Sequence, residues 1–256
     1  MGKLIRMDLY RMLKSKTFLF CLMLACVLAL GNAPFGRLMY TLAHSLSPEI
    51  NESFASEVSL SNILIDPFPV ISLMLVLLSL CYFFYADVEN GYIKNIAGQM
   101  PMKGFTVLSK FVASIVHNLI FVAAGIIGNL IGTLLVQRLI VDSNVPDSIR
   151  VLVLRLLLVQ SLCALLLLVV STFRSKSAGM ILSVLFGLGL TPLIYIGINE
   201  SLKPIFGETV DISRIMPDTV MWENPLDTAK ALAVAIVASG ICLLPAIRIF
   251  DHKDVK

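Results

Sequence analysis

The sequence DVENGYIKNI, residues Asp87–Ile96, is a polar stretch between two long apolar runs, and Pro101 and Lys103 follow it. The run before it, Pro67–Ala86, and the run after it, Phe111–Gln137, contain no Asp, Glu, Lys or Arg. A helix needs roughly 20 residues to cross the ~30 Å hydrocarbon core of a bilayer, and both runs are long enough. The stretch is therefore predicted to be a short connection between two membrane-spanning helices.

The same pattern recurs along the whole chain of 256 residues. Apolar residues make up 57% of it and charged residues 14%, whereas a soluble domain carries about 25% charged residues. Six runs lack charge altogether, and none shows the polar stripe of a helix in a soluble protein. We therefore predict an all-α membrane protein with one domain over residues 1–256 and six transmembrane helices near residues 17–36, 67–86, 108–137, 152–173, 177–199 and 229–248.

Charge counting predicts that both termini are cytoplasmic. Six spans place the termini on one side, and that side carries 13 of the 20 Lys and Arg residues but 5 of the 17 Asp and Glu residues. Basic residues concentrate on the cytoplasmic side of membrane proteins. We thus expect a multi-pass protein of the cell membrane, with residues 87–103 on the cytoplasmic face and residues 200–227 as an outer re-entrant or interfacial segment.

Residues 1–16 are predicted to form an amphipathic interfacial helix that precedes the first span. Its apolar and basic residues fall on opposite faces at helical spacing: Ile5, Leu9, Met12 and Leu13 against Lys3, Arg11 and Lys14. A helix of this kind lies in the plane of the membrane surface. Pro34 is expected to end the first span, and Thr191-Pro192 to kink the fifth.

The chain lacks the sequence motifs of common catalytic and nucleotide sites. It contains no Gly-x-x-x-x-Gly-Lys-Ser/Thr loop, no His-Glu-x-x-His and no Gly-x-Ser-x-Gly. Its five cysteines lie singly in apolar runs, and its three histidines lie in different segments. We therefore predict no catalytic residue, no metal and no cofactor on this chain, and no nucleic-acid partner.

A few polar and small residues inside the runs are candidates for helix packing or for a transport pathway. His117 is an ionisable residue within a run, where it is either a hydrogen-bonded neutral side chain or a functional group. Gly128 and Gly132 form a Gly-x-x-x-Gly pattern with Asn129 between them, and Gln160 is the main polar residue of the fourth span. This pattern allows close helix contact, either within the chain or in a dimer or the pathway.

The polar stretch also resembles a segment found in the permease subunits of type-2 ABC exporters. In that family an acidic-Asn-Gly-x-Ile-Lys segment follows the second span, then a proline with a basic residue, then a lysine that opens the third span. Here these features are Glu89 to Lys94, Pro101 with Lys103, and Lys110. The amphipathic amino-terminal helix and the proline-interrupted segment before the last span add to the resemblance.

The resemblance implies a transport subunit that is not itself an enzyme. It implies two cytoplasmic ATP-binding subunits, which bind ATP and Mg, and a second permease chain, identical or related. The segment after the second span would contact the ATPase, with these candidates: Asp87, Glu89, Asn90, Gly91, Tyr92 and Lys94. The expected function is export of an amphiphilic peptide or hydrophobic antimicrobial. A carrier driven by an ion gradient and a membrane-embedded lipid-modifying enzyme are the alternatives.

Overall fold

The computed structural model describes residues 2–46, 57–67, 70–89, 104–206, 211–223 and 226–252. Almost all of the described chain is helical. The α-helices are α1 (Gly2–Lys14), α2 (Lys16–Leu46), α3 (Leu60–Ile65), α4 (Val70–Glu89), α5 (Phe105–Val136), α6 (Val145–Phe173), α7 (Lys176–Gly187), α8 (Thr191–Phe206), α9 (Pro217–Val220) and α10 (Thr228–His252). A 3-10 helix spans Ile212–Ile215.

A short parallel strand pair departs from the all-helical prediction. Strand β1 (Glu57–Ser59) pairs with β2 (Arg138–Ile140), with Val58 opposite Leu139. The pair ties the chain that enters α3 to the chain that leaves α5. Ser61 of α3 adds a hydrogen bond of 2.6 Å to the Asp142 carboxylate beyond β2.

Within the described residues, four helices are long and apolar enough to cross a membrane: α2, α5, α6 and α10. Helices α7 and α8 form a bent pair that counts as a fifth if it is one span, and the apolar part of α4, Ile71–Asp87, is shorter. These helices fit an all-α membrane protein. The sixth span and the orientation of the termini stay predictions.

The fifth predicted span, residues 177–199, is broken rather than kinked, because α7 and α8 meet at 95°. Gly189 adopts φ +66°, a left-handed conformation that costs glycine little. The Leu190 N–H donates to Leu185 O at 2.9 Å and the Gly189 N–H to Phe186 O at 3.2 Å, which is a Schellman end to α7. Pro192 then lies in the first turn of α8, where it loses no helical hydrogen bond.

The first long helix also differs from its prediction, since α2 runs through Pro34 to Leu46. A proline inside a membrane helix is tolerated where neighbouring groups compensate the lost hydrogen bond. Helix α2 packs along α5, α10 packs along α6, and α4 packs against α7. The apolar core lies between these pairs and includes Leu77, Leu80, Phe121, Leu158 and Leu162.

Candidate functional site

The helices that flank the polar stretch are joined by a buried ion pair. Asp87 lies in the last turn of α4 and Lys110 in the second turn of α5, with Lys110 Nζ 3.0 Å from Asp87 Oδ2. Asp87 is 2% exposed and Lys110 5%. Lys110 Nζ also donates to Phe84 O at 2.6 Å, near the carboxyl end of α4, where a cation is favoured by the helix dipole.

Helix α1 is held against the same ion pair. Arg11 Nη2 lies 2.5 Å from Asp87 Oδ1, and Ser109 Oγ donates to Asp8 Oδ2 at 2.5 Å. Asp8 is 1% exposed, and burial raises the pKa of its carboxyl, although the hydrogen bond from Ser109 and the charge of Lys110 act in the opposite direction. We call Asp8, Arg11, Asp87, Ser109 and Lys110 the Asp87 cluster.

The end of α10 reaches the same region. The Gly104 N–H, just before α5, donates to Asp251 Oδ1 at 2.5 Å. A Cβ on Gly104 would lie 2.6 Å from Ile247 Cγ2 and 2.9 Å from Asp251 Oδ2, so these α10 side chains pack closely on Gly104 and would have to shift to admit a larger residue. Four helices, α1, α4, α5 and α10, therefore meet where the chain enters and leaves residues 90–103.

The structure assigns the predicted contact residues different surroundings. The Asp87 carboxylate is buried in ion pairs, whereas Glu89 is exposed, and the contact of Asp87 with a partner stays a prediction. Asn90, Gly91, Tyr92 and Lys94 lie outside the described residues. Whether Glu89 contacts a partner stays a prediction.

Sequence reasoning missed the part that α1 plays. The predicted apolar face was Ile5, Leu9, Met12 and Leu13, but the buried residues are Leu4, Asp8 and Met12, and Leu13 is 42% exposed. An aspartate on a buried helix face is rare unless it is paired. The spacing of four residues between Leu4, Asp8 and Met12 indicates that these residues share one face of α1. Because Asp8 is acidic, that face does not look apolar in the sequence.

Deeper in the bundle, polar side chains of α4, α5 and α6 form a hydrogen-bonded network. His117 is fully buried, with Nε2 3.0 Å from Ser79 Oγ. Asn118 Nδ2 donates to Gln160 Oε1 at 3.0 Å, and Gln160 Nε2 donates to Ser114 Oγ at 2.7 Å. The predicted candidates His117 and Gln160 thus belong to one network, which Asn118 connects.

The Gly-x-x-x-Gly pattern is used within the chain. A Cβ on Gly132 would lie 2.3 Å from Leu30 O, and a Cβ on Gly128 would lie 2.8 Å from Ala29 Cβ, so α2 lies directly on both glycines. Asn129 accepts a hydrogen bond from Asn32 Nδ2 at 3.3 Å and donates one to Pro67 O at 2.8 Å. Of the two alternatives, the described contacts support packing inside one chain.

No group of three His, Cys, Asp or Glu side chains in the described ranges is placed to hold a metal ion. The polar groups that the structure brings together are ion pairs, amides, hydroxyls and the His117 imidazole. Such groups can fix helices and transmit displacement. No protein-family model matches the chain, and a search of curated proteins finds no match.

Proposed function

We propose that the chain is the transmembrane permease subunit of an ATP-driven exporter of the type-2 ABC kind. In this proposal α4 is the second of six spans, the bent pair α7 and α8 is the fifth, and both termini are cytoplasmic. Two separate subunits bind ATP and Mg, and a second permease chain completes the complex. The cargo class that we favour is an amphiphilic peptide or a hydrophobic antimicrobial.

The observation that carries the proposal is the Asp87 cluster. A permease without a nucleotide site needs a connection between the segment that meets the ATPase and the helices that must move. Lys110 and Asp87 join the first turns of α5 to the last turn of α4, the two helices that flank residues 90–103, and Arg11 adds α1. Because Asp87 and Lys110 are buried and paired, and Arg11 is paired with Asp87, a displacement of the stretch would be shared by all three helices.

The proposed role requires a stiff connection between the ATPase and the helices. ATP binding shifts the transporter only as far as its affinity differs between the two conformations. A change from 1:99 to 99:1 takes about 5.5 kcal/mol. The connection between the ATPase and the helices must therefore be stiff. The paired, mostly buried charges of the Asp87 cluster meet that requirement better than a solvated loop would.

The test begins with the tagged chain purified in mild detergent from its native membrane. We expect an ATP-binding subunit to be recovered with it, identified by mass spectrometry and by ATP hydrolysis. Glu89→Lys should remove that subunit while membrane insertion stays intact. The matched control is Glu200→Lys, an exposed carboxylate at the other end of the bundle, which should leave recovery unchanged.

A carrier driven by an ion gradient is the second candidate, and the polar network is the observation that favours it. Buried His117 is an ionisable residue of the kind that forms proton relays in membranes, and Asn118 and Gln160 belong to its hydrogen-bonded network. In reconstituted vesicles that contain the chain alone, this alternative predicts transport driven by a pH gradient without ATP. Such transport, together with full activity of Glu89→Lys, would contradict the exporter proposal.

A further inference from the structure

A polar cleft lies beside the Asp87 cluster, between the end of α1, the start of α2 and the last turns of α4. Its volume is about 440 Å³, within the range of about 300–1,000 Å³ that small-molecule sites occupy. The lining includes these side chains: Tyr10, Arg11, Lys14, Thr17, Ala86 and Glu89. Charges, hydroxyls and aromatic rings therefore surround one space, which suits a ligand with both polar and apolar parts.

The position of this cleft corresponds to the headgroup layer of a bilayer. Thr17 is the first residue of one uncharged run and Ala86 is the last residue of another, so the cleft lies where the charged and uncharged parts of α2 and α4 meet. Phe20, Leu24 and Val27 follow Thr17 at helical spacing, and all three are exposed. An acyl chain can lie along this stripe of α2 while its headgroup occupies the cleft, which favours a membrane lipid over a soluble ligand.

Two lysines supply positive charge at this cleft. Lys14, which lines it, has its Nζ 4.7 Å from the centre of the Tyr10 ring, and Lys176 has its Nζ 4.0 Å from the centre of the Tyr82 ring. Both tyrosines line the cleft, so their rings hold the two ammonium groups beside it. Among the described residues neither lysine forms an ion pair. Basic pockets between membrane helices bind lipid headgroups that carry phosphate.

Glu89 adds a negative charge on the α4 side of the cleft. It is the last residue of α4, it is exposed, and it forms no ion pair within the described ranges. The carboxyl end of a helix dipole is itself negative, so a carboxylate there is unfavourable and a cation is favoured. Arg11, the other charged residue of the lining, is already paired with Asp87. A ligand ammonium beside Glu89 would therefore gain charge-assisted hydrogen bonds.

We propose that this cleft binds the headgroup of an aminophospholipid, in which a phosphate is linked to a primary ammonium group, as in phosphatidylethanolamine. The phosphate lies beside Lys14, the ammonium donates to the Glu89 carboxylate, and the acyl chains follow α2. A lipid without the ammonium brings an uncompensated phosphate close to Glu89, and a trimethylammonium group has no N–H to donate. This binding needs neither ATP nor an ATPase subunit, so it is tested separately from the exporter proposal.

The measurement uses the full chain alone, purified in a mild detergent and freed of lipid. It is titrated with three phospholipids of identical acyl chains and different headgroups: ethanolamine, choline and glycerol. Native mass spectrometry reports the lipid bound at each concentration. We expect saturable binding of phosphatidylethanolamine, about tenfold tighter than that of the other two, because each of them lacks the hydrogen bond between ammonium and carboxylate. Glycerophosphoethanolamine, the same headgroup without tails, should not displace it at equal concentration.

Variants assign the binding to the cleft. Lys14→Gln should weaken the binding of all three lipids, because all three carry the phosphate. Glu89→Gln should abolish the preference for ethanolamine, so that the ethanolamine and glycerol lipids bind equally. The matched controls are Lys3→Gln, an exposed lysine of α1 outside the cleft, and Glu200→Gln, an exposed carboxylate at the other end of the bundle, and both should bind as the unsubstituted chain does.

Each contrary outcome decides the proposal. Equal binding of the three lipids by the unsubstituted chain, or tighter binding of the glycerol lipid, would overturn the role of Glu89 and with it the choice of headgroup. Equal binding by Lys14→Gln and Lys3→Gln would overturn the cleft as the phosphate site. If Lys14→Gln does not fold, Ala86→Leu decides, because it fills part of the cleft and keeps every charge: unchanged binding of phosphatidylethanolamine contradicts the site, and weakened binding supports it.

Discussion

Replacing Asp87 by Asn removes the carboxylate that bridges Arg11 and Lys110. Lys110 is 5% exposed, so the substitution leaves a buried ammonium group without its counter-ion. Removing one partner of a buried pair costs about 3–5 kcal/mol. Two features favour the lower end of that range: Lys110 keeps its 2.6 Å hydrogen bond to Phe84 O, and the Arg11 side chain is 29% exposed, so water screens it. We expect the free energy of unfolding to fall by about 3 kcal/mol.

The assay is unfolding of the purified chain in mixed micelles with increasing SDS, followed by far-UV circular dichroism. Glu89→Gln is the matched control, two residues away and exposed, and it should change the free energy of unfolding by less than about 0.5 kcal/mol. The double variant Asp87→Asn with Lys110→Met removes both charges and should be more stable than Asp87→Asn alone.

Two results would refute this reasoning. If Asp87→Asn unfolds at the same SDS fraction as Glu89→Gln, the ion pairs contribute nothing to stability. If the effects of Asp87→Asn and Lys110→Met simply add, the two side chains are energetically independent, and the cluster cannot join α4 to α5.

Two further predictions concern helix packing and pH. Gly132→Ala should destabilise the chain by about 1–3 kcal/mol, because the added Cβ would meet Leu30 O. The control Gly240→Ala has open space around it and should be neutral or slightly stabilising. Equal Tm values for the two variants would contradict the close contact of Gly132 with α2. The folded pKa of Asp8 is raised, so its contribution to stability is fully present below the unfolded pKa of about 4 and is lost as pH rises through the folded pKa. As the pH rises from about 4 to neutral, the free energy of unfolding in SDS should therefore fall less for Asp8→Asn than for the unsubstituted chain. Equal decreases for the two chains would contradict a buried Asp8 carboxyl.

The candidate residues inside the apolar helices were identified from local patterns, and their contacts depend on the tertiary structure. Gly128, Gly132 and Asn129 were recognised because small residues at a spacing of four are a local pattern. Their partner, α2, could not be predicted, since packing between helices distant in sequence depends on how the whole bundle closes. His117 and Gln160 were recognised as isolated polar residues, but their network depends on Asn118, which the sequence did not single out.

The break between α7 and α8 was only half predicted. Thr191-Pro192 indicated a kink, but the large angle comes from Gly189 in a left-handed conformation two residues before α8 begins. The Asp218 carboxylate then accepts hydrogen bonds from the hydroxyls of Thr191 and Tyr195, which fixes the start of α8 against α9. Those contacts link residues more than twenty positions apart, so no local pattern reports them.

The sequence by itself determined the helical class of this protein. Several uncharged runs are long enough to cross a bilayer, where a helix satisfies the hydrogen bonds of every backbone group within one segment. The helical class therefore follows from the sequence without knowledge of how the helices pack. Only the tertiary structure decided which charges are buried. Asp87 lies in the stretch DVENGYIKNI and looks like a surface residue there, but Arg11 and Lys110 converge on it from two other helices. A charge can be buried only where opposite charges meet it, and that meeting is set by the arrangement of α1, α4 and α5 rather than by the stretch itself.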